Sequence, residues 1–169
     1  REPQINLNAT ELCKLENKGA PASIVLDFGV EFHGSVKLFV KDVSKLTVKL
    51  RVRFGESVME TMEDKLYDKH NATNDHINRD MTIDVGFLSM NELGPSGFRF
   101  VRIDLLEENT SITFKAIKGI AIYRDLEYKG SFRCDDERLN TIWNTGAYTI
   151  HLNMQEYVWD GIKRDRLVW

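Results

Sequence analysis

Apolar and polar residues alternate most regularly between Leu46 and Phe54. There Leu46, Val48, Leu50, Val52 and Phe54 share one face, and Thr47, Lys49, Arg51 and Arg53 share the other. A period of two reads as a strand whose first face enters a core and whose second is a cationic, solvated row. Shorter runs of the same kind flank it. Ile5 and Leu7 open an edge strand or lead-in over 5–17; residues 23–29 (SIVLDFG) are a β-rich run ending in Gly29, and 34–41 (GSVKLFVK) follow after a brief turn. Strands resume at 81–87 and 97–106. In the second of these Phe98 and Phe100 lie on one phase and Val101, Ile103 and Leu105 on the other, which predicts a β-bulge near Phe100. Gly94-Pro95-Ser96-Gly97 reads as a turn. Ile112, Phe114, Ile117, Ile120 and Ile122 predict two strand segments interrupted at Gly119, and 131–133 a last short strand. Many short strands with no helices between them predict a mainly β fold, an antiparallel β-sandwich.

After Cys134 the period changes. Leu139, Ile142, Trp143, Ile150, Met154 and Tyr157 recur at helical spacing, with Gly146 in the same row. Asp135 fits the N-cap, Asp136 and Glu137 suit the positive end of the helix dipole, and Gly161 fits the C′ position. A mid-helix glycine costs about 1 kcal/mol relative to alanine, so another backbone or an aromatic ring is expected against Gly146. The chain predicts no second long helix to provide it. It ends instead on a dense charged and aromatic run, Trp159-Asp160-Gly161-Ile162-Lys163-Arg164-Asp165-Arg166-Leu167-Val168-Trp169. The expectation is therefore the front part of a longer protein. Residues 1–130 would be a β-sandwich accessory domain, and 131–169 a linker strand, the first helix and a motif of a helical domain. In isolation the helix stripe would be partly exposed, which predicts self-association through that face or poor order.

Composition narrows the function classes. The 169 residues carry 29% charged and 42% apolar side chains and a net charge of −3, with no long basic run, so the electrostatic footprint of a nucleic-acid binder is missing. No apolar run approaches a membrane span. Cys13 and Cys134 have no metal-ligand spacing and form no disulfide framework, so two free thiols are expected. No cofactor is implied. Between Gly55 and Asp80 the pattern dissolves into a polar insertion, the kind of long loop that often carries function. Asn71, Asn74, Asp75, Asn78 and Asp80, with His70 and His76 nearby, could supply a calcium site. No spacing matches an EF-hand loop, however, and such clusters are chiefly turn formers. His151 reads as a hydrogen-bonded interior or interface residue rather than a catalyst, and no Gly-x-Ser-x-Gly elbow is present.

The run 131–143 (SFRCDDERLNTIW), followed after the helix by Asp160 and by Lys163 through Trp169, resembles the start of the catalytic barrel of bacterial α-L-rhamnosidases, a glycoside hydrolase family. Upstream, Val52-Arg53-Phe54-Gly55-Glu56 and Ser96-Gly97-Phe98-Arg99-Phe100-Val101 resemble the β-sandwich that precedes that barrel. The resemblance implies an (α/α)6 barrel beginning near Asp135 and removal of terminal L-rhamnose with inversion, in a bacterial periplasmic or secreted setting rather than a cytoplasmic one. Family members carry Asp-Cys-Pro-x-Arg-Asp-Glu-Arg and then an aromatic residue. Here Gly161 and Ile162 stand near the Cys-Pro pair, and Arg164-Asp165-Arg166 is one residue short. Aligned from Arg166 to Trp169 backwards, Asp165 takes the place of the general acid; aligned from Asp160 forwards, it becomes a sugar-binding partner and no acid is left. The first alignment needs no gap and is preferred.

The resemblance thus implies Asp165 as general acid and Asp160, Arg164, Trp159 and Trp169 on the substrate side, although the two tryptophans, as large apolar bodies, read first as core residues of the missing barrel. An inverting glycosidase also needs a second carboxylate as base, roughly 6.5 to 9.5 Å from the acid. None is identifiable in this chain, so the chain alone is expected to hydrolyse nothing. Its expected partners are the missing barrel and, through it, a carbohydrate. The rival readings are a module that binds sugar through its loops and one that only braces the barrel.

Overall fold

The computed structural model describes residues 12–62, 79–163 and 166–168. Among these residues six strands and two helices follow in the order β1 (Cys13–Asn17), β2 (Ala22–Val43), β3 (Thr47–Gly55), α1 (Val58–Met62), β4 (Asp80–Gly86), β5 (Met90–Leu105), β6 (Thr110–Ala121) and α2 (Glu137–Asn153). The fold is mainly β and antiparallel throughout, with one long helix near the C-terminal end, as the hydrophobic pattern predicts. All six strands belong to one hydrogen-bonded sheet in the order β1-β6-β2-β5-β3-β4.

The two layers of the expected sandwich are halves of this one sheet. The first half of β2, Ala22 to Asp27, pairs with the end of β5, which also pairs with β3. The second half of β2 pairs with the start of β5 on one side and with β6 on the other. Both long strands therefore pass from one layer into the other. The bend lies where Asp27 still faces Phe100 while Phe32 already faces Phe98, so that residues 28–31 of β2 stand opposite Arg99 alone. The bulge predicted near Phe100 is at this place, but its extra residues lie on β2. Gly29, with φ of 84°, supplies the backbone conformation that a side chain would strain. Arg99 clasps the Asp27 carboxylate with two bonds of 2.7 and 2.8 Å across the bend.

The alternation over 47–54 lands as expected, with Val48, Leu50, Val52 and Phe54 buried in one core with Val36, Leu38, Ile103, Ile112 and Phe114. Leu46 lies outside the strand and is 91% exposed. Rings of Phe28, Phe32, Phe54 and Phe98 pack in edge-to-face and tilted pairs at the bend, with centroids 4.5 to 5.8 Å apart.

Several sequence expectations are corrected. Arg53 is not part of a wet row; it is buried, its Nη2 2.8 Å from Asp104 Oδ2, and Arg102 holds the other oxygen at 2.7 Å. Alternation places polar residues on an outer face, but here two neighbouring strands fold that face into a charge cluster. No turn separates 29 from 34, because the bulge carries the strand through. Likewise Gly94-Pro95-Ser96-Gly97 lies inside β5, with a cis Gly94–Pro95 peptide, and Gly119 does not interrupt β6. At Gly119 the missing side chain makes room for Phe28 and Phe32, so the glycine marks packing and not a break. Residues 131–133 form no strand. Of the insertion, Asp80 sits in β4, its carboxylate bound by Arg51 at 2.6 and 2.8 Å. Asn71, Asn74, Asp75, Asn78, His70 and His76 lie outside the described residues, and no metal-binding cluster occurs among the described ones. Cys13 and Cys134 are free thiols.

Helix α2 begins one residue later than expected. Asp136, not Asp135, is the N-cap, accepting from the amides of Arg138 (2.8 Å) and Leu139 (3.4 Å). It ends at Asn153 with Met154 as C-cap, so Gly161 lies well beyond it and caps nothing. The face it lays on the sheet carries Tyr148 and Leu152, and Asn140 is buried near its start. The stripe read from the sequence points the other way: Leu139, Ile142 and Ile150 are 47, 58 and 61% exposed, and Trp143 is half-buried. A Cβ on Gly146 would meet nothing within 4 Å, so the expected neighbour is absent among the described residues.

Candidate functional site

The segment after α2 folds back on itself before it meets the sheet. Trp159 N–H donates to Asn153 O (2.9 Å), Trp159 bridges to Val168, and Asp160 N–H donates to Leu167 O (3.1 Å). Asp160 Oδ1 in turn accepts from Leu167 N–H at 2.9 Å. Residues 159–160 and 167–168 thus pair as the narrow neck of a loop, and one oxygen of Asp160 closes it. Arg164, Asp165 and Trp169 lie outside the described residues.

Three contacts seat this loop on the bend between β2 and β5. Ile162 is buried over Gly97, where a Cβ would come within 2.6 Å of its Cγ1, so only glycine leaves room there. Trp159 is half-buried, with its ring edge-on to His33 at 5.2 Å and the Arg166 guanidinium 5.1 Å from its centroid. Arg166 also donates to Pro95 O (3.2 Å) and to Ile162 O (3.4 Å). Burial, reinforced by the positive charge of Arg166, pushes the His33 imidazole down to about 4, so it is neutral at ordinary pH. A neutral imidazole can share the Trp159 ring with the Arg166 guanidinium without repulsion.

Lys163 makes the third contact. Its Nζ lies 2.8 Å from Glu56 Oε2 and 3.0 Å from Glu60 Oε1, and Glu60 is also paired with Arg79. Beside it opens a cleft of about 620 Å³ lined by Glu31, Glu56, Thr149, Asn153, Asp160 and Lys163 among others. Glu31, in the bulge of β2, has its carboxyl pushed up to about 7, first by burial and then by the facing Glu56, with Lys163 opposing. The structure therefore brings Asp160 and Trp159 to one end of the sheet and adds Glu31, Glu56, Glu60 and Lys163. These four were missed. Glu31 and Lys163 are far apart in sequence, and a lone glutamate in what reads as a brief turn between two strands carries no signal of a site.

On the other side of the helix His151 is held at both nitrogens. Its Nε2 lies 2.6 Å from Arg124 O, a carbonyl that can only accept, so Nε2 carries the proton and Nδ1 accepts from Tyr128 Oη at 2.8 Å. Arg124 Nε and Nη2 donate to Gln155 O (2.5 Å) and Glu156 O (3.2 Å), and Tyr148 Oη donates to Glu31 O (2.6 Å). His151 is a structural tie, as read from the sequence.

No family model and no curated protein matches the chain. Solved structures do. A rhamnosidase from Klebsiella oxytoca, solved with rhamnose bound, is similar over 92% of this chain and 31% of its own, at 20% identity and a TM-score of 0.72. A GH78 family rhamnosidase of Bacillus sp. GL1 is similar over 99% and 17%, at 18% identity and 0.76. An α-L-rhamnosidase from Dictyoglumus thermophilum is similar over 94% and 18%, at 19% identity and 0.57. The chain spans less than a third of the length of each of these proteins, and over that span, sheet and helix together, it has their fold.

Proposed function

We propose that this chain is the β-domain and first barrel helix of an α-L-rhamnosidase-like inverting glycoside hydrolase that removes terminal L-rhamnose from glycosides or oligosaccharides. One observation carries the reading: the likeness to rhamnosidases runs through nearly the whole chain, from the sheet across α2. It agrees with the motif resemblance of residues 131–143 and 160–169, which was read from different information. In this reading residues 1–130 are the accessory domain and 131–169 open the catalytic (α/α)6 domain. The exposed row Leu139, Ile142 and Ile150 and the open space at Gly146 are where barrel helices would pack.

Asp165 is then the general acid, with Asp160, Arg164, Trp159 and Trp169 on the substrate side. The chain alone supplies no identified base, so it hydrolyses nothing. The seating of the 159–168 loop favours a bracing role for the sheet over sugar binding by it, because each described contact to the sheet holds the loop in place. The test uses the longer gene product and an aryl α-L-rhamnoside. Asp165→Asn is expected to lower kcat by about a hundredfold or more, the scale of general-acid effects, with inverted rhamnose as the first product seen by NMR. A near-normal rate in Asp165→Asn, retention of configuration, or hydrolysis by the 169-residue chain itself would each overturn its part of the reading. Titration of the chain with L-rhamnose separates the two accessory roles: unshifted resonances from the polar insertion between Gly55 and Asp80 are expected for bracing.

A further inference from the structure

The two described residues that flank Arg164 and Asp165 in sequence are both fastened to the sheet. Lys163 reaches Glu56 and Glu60, which close β3 and run into α1, and Arg166 reaches Pro95 in β5 and the Trp159 ring. Glu31 stands where these parts converge. From the end of β3 it is faced by Glu56, and from the loop by Lys163, with Asp160 in the same cleft wall. From α2 it meets Tyr148, whose hydroxyl binds the Glu31 carbonyl and is itself pushed up by burial and by Glu31. Beyond Lys163, Glu60 is paired with Arg79.

We propose that Glu56, Glu60 and Lys163 form a clamp that seats the loop on the sheet, and that a proton on Glu31, in the wall of the same cleft, keeps the clamp closed. A part-buried carboxyl beside an acidic neighbour resists ionising. When that proton leaves, a further negative charge stands in the cleft beside Glu56, and lifting the loop relieves the repulsion by admitting water.

The sign follows from the proton count. In the seated state Glu31 titrates near 7, and in the lifted, solvated state it returns to the ordinary range near 4.5. Between those values the seated state binds more protons. The contribution of this proton to seating is therefore fully present below the ordinary carboxylate range, falls as pH rises from it, and is gone above about 7. Lys163 and Glu31 are positioning residues in this scheme. The clamp itself stands on contacts within this chain; only its bearing on catalysis rests on the rhamnosidase-like reading.

Amide hydrogen exchange of Asp160 and Leu167, whose mutual bonds exist only in the folded loop, measures the clamp directly. After correction for the intrinsic rate, protection is expected to fall by about tenfold or more from pH 5 to pH 8, while the sheet amides of Val40 and Phe54 hold theirs. Glu31→Gln should flatten that pH dependence. Lys163→Met should lower protection at every pH, and Lys163→Arg should restore it. An unchanged pH dependence in Glu31→Gln, or a parallel loss in the sheet amides, would overturn the clamp. In the longer enzyme Lys163→Met should lower kcat up to about a hundredfold with KM little changed, the signature of a misplaced group. A normal kcat there would remove the link to catalysis, whereas a normal kcat in Asp165→Asn removes the rhamnosidase-like assignment and leaves the clamp intact.

Discussion

Charge buried inside a β layer is this molecule's most demanding feature at the scale of single residues. Asp104 is nearly inaccessible and receives Arg53 on one oxygen and Arg102 on the other, at 2.8 and 2.7 Å. Taking such groups from water costs several kcal/mol per ion, and the mutual attraction offsets this only while the partners stay matched. Asp104→Asn keeps the shape and removes the charge that faces a buried guanidinium. It should destabilise the fold by about 3 kcal/mol, read as a lower urea midpoint at an unchanged slope. Arg53 was assigned to a solvated face by alternation alone. That reading failed because period two reports which side of a strand a residue occupies, and not whether a neighbouring strand covers that side. Asp160 and Trp159 were legible as special because they sit in a dense charged and aromatic run. Glu31 was not, since its partners come from β3 and from beyond α2.

Among the elements, β3 was the most legible and α2 the most instructive. The apolar set of β3 is large, uninterrupted and needed on one side, so pattern and packing agree. In α2 the pattern gave the element and nearly its start, but the stripe with the strongest periodicity turned out to face away from the sheet. Besides Leu152, which enters the core, what ties the helix and the segment after it to the rest is polar: the Tyr148 hydroxyl on Glu31 O, the Arg124 guanidinium on two carbonyls past the helix end, and Gln155 Nε2 on Ile122 O at 3.2 Å. Such ties leave no periodic trace. Tyr148→Phe removes one of them and leaves a part-buried carbonyl without its donor. A loss of about 1 to 2 kcal/mol is expected in urea unfolding, with the helical circular dichroism signal retained. Long strands were read as pairs of short ones at 22–43 and 110–121 because glycine was taken as punctuation. In both places it makes space for rings or a bend.

For the molecule as a whole, the open row on α2 and the apolar groove beside it dominate behaviour in solution. The groove, about 360 Å³ and lined by Leu126, Trp143, Ala147, Ile150 and Met154 among others, continues the exposed row of Leu139 and Ile142. Contiguous apolar surface of this kind drives association when nothing covers it. Sedimentation of the 169-residue chain is expected to depend on concentration, and Ile142→Glu with Ile150→Glu together should return it to a single monomeric species. Concentration-independent monomers of the unsubstituted chain would count against this. The sheet order has a further consequence, for synthesis on the ribosome. β2 is complete at Val43, yet its neighbours β5 and β6 occupy residues 90 to 121, and β1 pairs only with β6. Until then a nascent chain can assemble, of the described pairings, only β3 with β4. Such distant pairing closes slowly and leaves apolar strands uncovered meanwhile. The strand at the centre of the finished sheet is made early and has to wait, so this polypeptide should depend on chaperones until Ala121 has emerged.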